Sequence, residues 1–383
     1  DGGADNSVTV AGSLSAVSGL AMTGTGGNDS LVNSGTLVGN LSLGGGINSV
    51  GNATGATFVT IDTLNLQEGP DSVGTFTNEG DVLLGLSAPE LLPDFAAGET
   101  FADYVSDNPQ ADLLHGTGVI SQVALDGIFV QTESGTTYFD IGFGPYASDR
   151  IDVTGTATLA GTADITLTWL ADADPVALLT AGAGATDLGL QVEDTLALDY
   201  SIVTQADGLY LAYESDFGLE FLTRNGQELG ASIDSALQAG GNDGLGRLLA
   251  LLGSLSEGQE DAYAAIFAEL DPEVYLTADI QRFHATRDFG QHVLGCDTGI
   301  GTGAGRACVW GGVSYDTLTR DADGDTPAID HDGSGRVRLG VNVPVGNSIS
   351  LGAAIAYDDF GESLFGGDRG TVEGDQLSFG AGA

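Results

Sequence analysis

Between Val309 and Ala383 the side chains alternate between apolar and small or polar, residue by residue. Val337, Leu339, Val341, Val343 and Val345 are separated by Arg338, Gly340, Asn342 and Pro344. Ile349, Leu351, Ala353, Ile355 and Tyr357 are separated by Ser350, Gly352, Ala354 and Ala356. Val309, Gly311, Val313 and Tyr315 precede these runs, and Leu377, Phe379, Ala381 and Ala383 follow them. A period of two fits only a strand, because successive side chains of a strand point to opposite faces. Each strand therefore has one greasy face and one face of Gly, Ser, Ala and polar groups.

Either a soluble sheet or a membrane sheet can carry that pattern, so the connections matter. The stretch LTRDADGDTPAIDHDGSGR before Val337 reads as a long loop. Val345 to Ile349 reads as a tight turn through Gly346-Asn347. DDFGESLFGGDRGTVEGD then reads as a second long loop. Long connections at one end and short ones at the other mark an outer-membrane β-barrel with apolar-out, polar-in strands. A soluble antiparallel sandwich is the alternative.

Composition narrows the partners. The chain has no Lys, 10 Arg beginning at Arg150, and 54 acidic residues, for a net charge of −44. Phosphate binding needs clustered cations, so nucleic acid is excluded as a partner. Such a surface stays soluble in a salty medium and attracts divalent cations or basic partners. With 61 Gly, 9 Pro and 7% aromatics, the chain suits repetitive β-structure better than a conventional enzyme core. Cys296 and Cys308 flank the Gly-rich stretch 297–307 and match no metal spacing. They read as a local disulfide made in an oxidising compartment, contributing about 3 kcal/mol in the entropic model; two free thiols are the alternative. DGGADNSVTV is not a signal peptide, no run of 18 apolar residues exists, and the last strand is cut at Ala383. The sequence thus reads as an internal fragment.

The first 85 residues repeat. Asn6-Ser7-Val8, Asp29-Ser30-Leu31, Asn48-Ser49-Val50 and Asp71-Ser72-Val73 place their serines 23, 19 and 23 residues apart. LSLGGGINSVG at Leu41 aligns with LNLQEGPDSVG at Leu64, and NSGTL at Asn33 returns as NEGDV at Asn78. A period near 20 with Gly/Asn-bounded β pieces predicts a parallel β-helix, with Val and Leu inside and Asn or Ser laddered along the stack. Residues 86–116, with three prolines, interrupt it as an irregular insertion. β-Structure is expected again over 118–132, 138–143 and 150–168. Val176–Leu179, Leu196–Val203 and Leu209–Tyr213 are longer strands, with Asp207-Gly208 as a hairpin turn, and suit a cap. LGRLLALLGSL and EDAYAAIFAEL read as helices. A third helix, 273–294, starts after Asp271-Pro272 and lines up Leu276, Ile280, Phe283, Arg287 and Leu294 on one face. At about 33 Å it matches a membrane in length. Arg282, His284, Arg287 and His292 keep it out of lipid, so it fits either a polar lumen or the surface of a soluble domain.

Taken in order, these segments resemble the autotransporters of type V secretion. GTLVGNLSLGGGINSVGNATGATF and ASDRIDVTGTATLAGTADITL resemble passenger repeats. DPEVYLTADIQRFHATRDFGQHVL followed by CVWGGVSYD resembles the junction between linker helix and first barrel strand. The resemblance implies a mainly β chain: a right-handed parallel β-helix with a C-terminal cap, a helical linker and a truncated antiparallel outer-membrane β-barrel. Its boundaries are passenger 1–170, autochaperone-like cap 171–222, linker 223–295 and barrel strands 296–383. It implies an outer-membrane and cell-surface location in a Gram-negative bacterium. Outer-membrane lipid and the barrel-assembly machinery are the implied partners, and an adhesive or structural passenger leaves room for a host or surface ligand. Arg282 and Arg287 become the pore-facing candidates of the linker, and a Cys296–Cys308 bridge pins helix to strand at the periplasmic mouth. The Asp-rich stretch Asp321–Asp332 would face outside. The family barrel has about twelve strands, whereas about four are present here, too few to close a barrel.

No catalytic, cofactor or metal residue is assigned, and the chain is not expected to be an enzyme. GTGGNDSL puts Asp29 at the ligand position of a calcium-binding nonapeptide, but Thr25 departs from the pattern and only one copy is convincing. Asp321, Asp323, Asp325 and Asp332 mimic EF-hand spacing without its Gly or its closing Glu. HDGSGR is not a nucleophile elbow, and His115, His284, His292 and His331 assemble no triad. Asn225-Gly226 is prone to deamidation and falls where some members of the resembled family cut themselves. Two further readings stay open: a secreted β-helix enzyme acting on polysaccharide, and a soluble surface adhesin. A lyase is disfavoured because the repeat region has no basic residue before Arg150.

Overall fold

The computed structural model describes residues 3–85, 120–144, 148–172, 174–240, 245–270, 283, 286–290, 307–320, 329–345, 350–364 and 371–382. It is mainly β, with parallel sheets and a curled sheet. The chain divides into two compact units, Asp1–Leu219 with Gly230–Glu260, and Glu220–Leu229 with Asp261–Ala383. The insertion expected at 86–116 lies outside the described residues.

In the first unit the chain visits two sheets in turn. One is a seven-stranded parallel sheet of β1 (Asn6–Val10), β3 (Asp29–Asn33), β5 (Ile47–Asn52), β8 (Val73–Asn78), β11 (Ile128–Gln131), β14 (Ala157–Leu159) and β17 (Ala185–Asp187). The other runs β15 (Thr162–Trp169), β12 (Thr136–Gly142), β9 (Asp81–Leu84), β6 (Thr57–Thr60), β4 (Thr36–Ser42), β7 (Thr63–Asn65), β10 (Gln122–Asp126), β13 (Arg150–Val153) and β16 (Val176–Ala181), with β2 (Ser13–Thr23) paired to β4. β4 serves both halves of this sheet: Thr36–Val38 pair with β6, and Leu41–Ser42 with β7. Gly39 sits between the halves at φ +136°, where the Ala21 Cβ and the Gly19 carbonyl leave a side chain little room.

The registers bring like residues together. Leu31, Val50, Phe76 and Phe129 are aligned on neighbouring strands and buried. Phe58 of the second sheet meets Phe76 edge-on at 5.2 Å, and Phe76 stacks on Phe129 at 5.7 Å, so the two sheets share one apolar interior. Each such side chain contributes about 1.5–3 kcal/mol by leaving water. The outward row is Thr9, Val32, Gly51, Thr77, Val130 and Thr158, continued by Thr186.

One expected alignment fails. Leu41 does pair with Leu64, but Ser49 pairs with Thr75, not Ser72, and Asn48 with Gly74. The turn before β8 is longer than the one before β5, so the fourth Asx-Ser-Val triplet falls short of the paired register. The match of NSGTL with NEGDV holds, because Asn33, Asn52 and Asn78 are aligned, as are Leu37, Phe58 and Val82.

Parallel pairing ends at β16, which is parallel to β13 on one edge and antiparallel to β19 (Gly208–Ser215) on the other. β18 (Leu198–Gln205) closes a hairpin with β19 as expected, but through Ala206-Asp207, one residue before the expected Asp207-Gly208 turn, since Gly208 already pairs with Gln205. Helices α1 (Arg224–Gln238), α2 (Gly246–Gly253) and α3 (Glu260–Leu270) follow. The Thr223 hydroxyl caps α1 by accepting the Gly226 N–H at 3.2 Å, so Asn225-Gly226 lies in a capped helical turn and not in a loop. α2 packs on β15, and Gly246 is required there because the Trp169 ring occupies the space of a Cβ.

In the second unit β20 (Cys308–Arg320), β21 (Ile329–Pro344), β22 (Ser350–Leu364) and β23 (Thr371–Gly382) form an antiparallel sheet in chain order. The two long loops expected around residues 318–336 and 358–375 are mostly strand, since Thr319 pairs with Asp330 and Ser363 with Thr371. The ladder is made by the backbone and continues where the apolar alternation has already ended. Asp321, Asp323 and Asp325 lie outside the described residues; Asp332 lies within β21.

Candidate functional site

The antiparallel sheet is inverted relative to a soluble one. Val309, Val313, Tyr315, Leu339, Tyr357 and Phe379 are exposed, Val313 at 82%. The opposite face buries Cys308, Trp310, Arg336, Asn342, Ala356 and Asp358. Gly340 gives the Trp310 ring its place, since a Cβ there would collide with it.

Helical residues 286–290 lie against that polar face. Phe289 is buried with Cys308, Trp310, Ala354 and Ala356. Asp288 Oδ2 accepts from Arg336 Nη1 at 3.1 Å and from Arg338 Nη1 at 2.5 Å, and Arg336 also pairs with Asp358. Arg336 and Asp358 are only 7% and 3% exposed, where an ion pair persists only if its geometry satisfies both partners. Gln376 Nε2 donates to the Thr286 hydroxyl at 3.2 Å. Arg287, a pore-facing candidate, is itself exposed. Asp288 and Phe289 make the contacts, because the helix turns the face carrying Phe283 and Arg287 away from these four strands. Arg282, the other candidate, lies outside the described residues. Cys308 is disulfide-bonded, and Cys296 lies outside the described residues.

The first unit holds buried polar groups of another kind. Asn33 Nδ2 donates to Asn52 Oδ1 at 2.8 Å, Asn52 Nδ2 to Asn78 Oδ1 at 2.9 Å, and Asn78 Nδ2 to Gln131 Oε1 at 3.2 Å. Gln131 Nε2 ends the series on the Ala160 carbonyl at 2.8 Å. Asp29, the calcium candidate, is buried, and its Oδ1 accepts from the Asn6 backbone and side-chain amides at 3.1 and 2.7 Å. It therefore acts as a link between strands. Among the described residues no group of three or more His, Cys, Asp or Glu is placed to hold a metal ion.

Asp149 is the buried acid most perturbed in this unit. Its Oδ1 accepts from Ser121 N at 2.6 Å and its Oδ2 from Asp140 N at 2.8 Å, tying β10 to β12. Burial pushes its carboxyl up to about 7; the two backbone hydrogen bonds pull the other way and lose. Both oxygens are engaged by the backbone, so the group clasps strands and leaves no free oxygen for a glycan. Sequence reasoning missed Asp149, Asp288 and Phe289; Asp149 sits between Ser148 and Arg150, a polar setting that gives no sign of its burial.

No protein-family model matches this chain, and searches of curated proteins and of solved structures give no match.

Proposed function

We propose that this chain is part of an autotransporter. In this reading residues 1–170 are the end of a β-helical passenger and residues 171–222, with β16, β18 and β19, its cap. Residues 286–290 belong to a linker helix inside the pore, and β20–β23 are the first strands of an outer-membrane barrel. The observation that carries it is the inverted sheet. In water, exposing Val313, Leu339 and Phe379 while burying Arg336 and Asp358 is unfavourable on both faces, at about 25 cal/mol per Å² for the apolar side. In a bilayer the same arrangement is favourable on both, because the aliphatic face meets hydrocarbon and the ion pairs meet a polar lumen. The exposed side of the helix, with Arg287, would then face the strands that complete the barrel. The passenger would be adhesive or structural, delivered to the cell surface by its own barrel.

The test is the reading frame beyond Ala383. About eight further alternating strands of about 10 residues are expected, since four strands leave open edges that lipid does not tolerate. A stop codon directly after Ala383 would overturn the barrel, and the soluble adhesin would then lead.

A further inference from the structure

The outer face of the seven-stranded sheet carries no charge. Outward positions from β1 to β17 are Ser, Thr, Val, Ile or Gly throughout, and none is aromatic. This stands out in a chain of net charge −44. The second sheet of the same unit, by contrast, turns Asp81, Asp126, Asp152 and Asp164 outward. Among the described residues nothing covers the neutral face: Ile47 is 66% exposed beside the exposed Val73, and a Cβ added at Gly51 would meet nothing within 4 Å.

We infer that this face is where a second copy of the chain docks, neutral face to neutral face. Charge selects the occupant. Two copies meeting by any acidic surface repel each other, whereas this face brings rows of hydroxyls and methyls together without a charge on the facing strands. A phosphate-bearing, acidic or basic partner finds no countercharge on it, and a sugar finds no aromatic ring on which to stack. The same face on another copy is itself neutral and of equal strand spacing, so an isologous pair is self-complementary. Ile47, Val32 and Val73 supply the apolar surface that leaves water on contact.

The inference concerns the first unit alone and stands apart from the membrane reading. The experiment is sedimentation equilibrium of the full chain in detergent micelles, across a range of salt. Dimerisation should strengthen as salt rises, because screening removes repulsion between the acidic remainders, the opposite of a charge-paired interface. Thr77→Glu, and independently Gly51→Asp, should each weaken it at least about tenfold. An equimolar mixture of Thr77→Glu and Thr77→Arg chains should restore it, and Thr63→Glu on the other sheet should leave it unchanged. Circular dichroism checks that each variant is folded, and Gly51→Asp has open space to occupy. A wild-type chain that stays monomeric at high salt, substitutions without effect, or a mixture that restores nothing would overturn the inference. Association through β20–β23 in the micelle would ignore Thr77 and so would be told apart.

Discussion

Asn52 donates its side-chain amide to the Asn78 carbonyl oxygen at 2.9 Å, and both residues are fully buried. Asn52 also receives the Asn33 amide at 2.8 Å and reaches the Asp81 carbonyl at 2.9 Å. It is the centre of a chain of side-chain amides that crosses four strands of the seven-stranded sheet. Each link satisfies a backbone or side-chain group that the corner between strands would otherwise leave without a partner.

Asn52→Ala should therefore cost more than one hydrogen bond, because Asn33 loses an acceptor inside the protein. The expected loss is about 2–4 kcal/mol, read as a fall in the urea midpoint of the first unit. Asn28 makes a comparable link, accepting the Ile47 N–H at 2.8 Å, but it is exposed. Asn28→Ala should cost no more than about 1 kcal/mol, since water replaces the lost partner. Equal losses at the two sites would show that burial does not set the value of the ladder.

Two glycines of the first unit should respond with opposite sign. Gly51 is the last residue but one of β5, with an ordinary backbone and open space at its Cβ position. Gly51→Thr should stabilise by about 0.5–1 kcal/mol, through a β-branched side chain on a strand and a less flexible unfolded chain. Gly39 has φ +136° and close neighbours, so Gly39→Ala should destabilise by about 1–3 kcal/mol. Thermal melts of both variants against the parent decide the signs.

Much of this arrangement was legible in the sequence, and the failures have physical causes. The match of Asn33 with Asn78 marked the corner where the amides stack, since Asn serves both the tight turn and the ladder. Gln131, which extends the ladder, was not legible, because the substitution hides the repeat while a longer side chain still reaches. The triplet at Asp71 misled because a matching string says nothing about the length of the turn before a strand. In β20–β23 the apolar face was legible to the residue, whereas strand length was not. For residues 273–294 the reading took the stripe with Phe283 and Arg287, whereas Phe289, off that stripe, is the residue buried against the strands. Periodicity alone does not say which stripe meets the sheet.

Asp149 gives the first unit a pH dependence. Its carboxyl is raised to about 7 when folded, against an ordinary 3.8 when unfolded, with burial the main cause. The folded state therefore holds the proton more tightly. Its contribution is fully present below about 4 and is lost as pH rises through about 7, on the order of a few kcal/mol. Urea midpoints should fall across that window, and Asp149→Asn should flatten the slope. A midpoint that rises between pH 4 and 7 in the parent and not in Asp149→Asn would contradict the burial argument.

Leu339 and Ser378 test which face of the antiparallel sheet meets lipid. Leu339 is exposed among aliphatic neighbours on β20 and β22, pairing with Gly311 and Ile355. Ser378 is on the polar face, accepting from Gln376 at 3.1 Å. In the proposed barrel, Leu339→Arg puts a guanidinium into hydrocarbon at about 2–4 kcal/mol near the midplane, whereas Ser378→Arg puts it into a wet lumen at little cost. The full-length protein carrying Leu339→Arg should lose most of its yield in the outer-membrane fraction, and Ser378→Arg should keep it. In a soluble sheet the order reverses, since an arginine at an exposed Leu339 is harmless and one on the inner face beside Ala356 and Gln376 is not. The same pair of variants thus separates a membrane sheet from a soluble one, whatever the passenger binds.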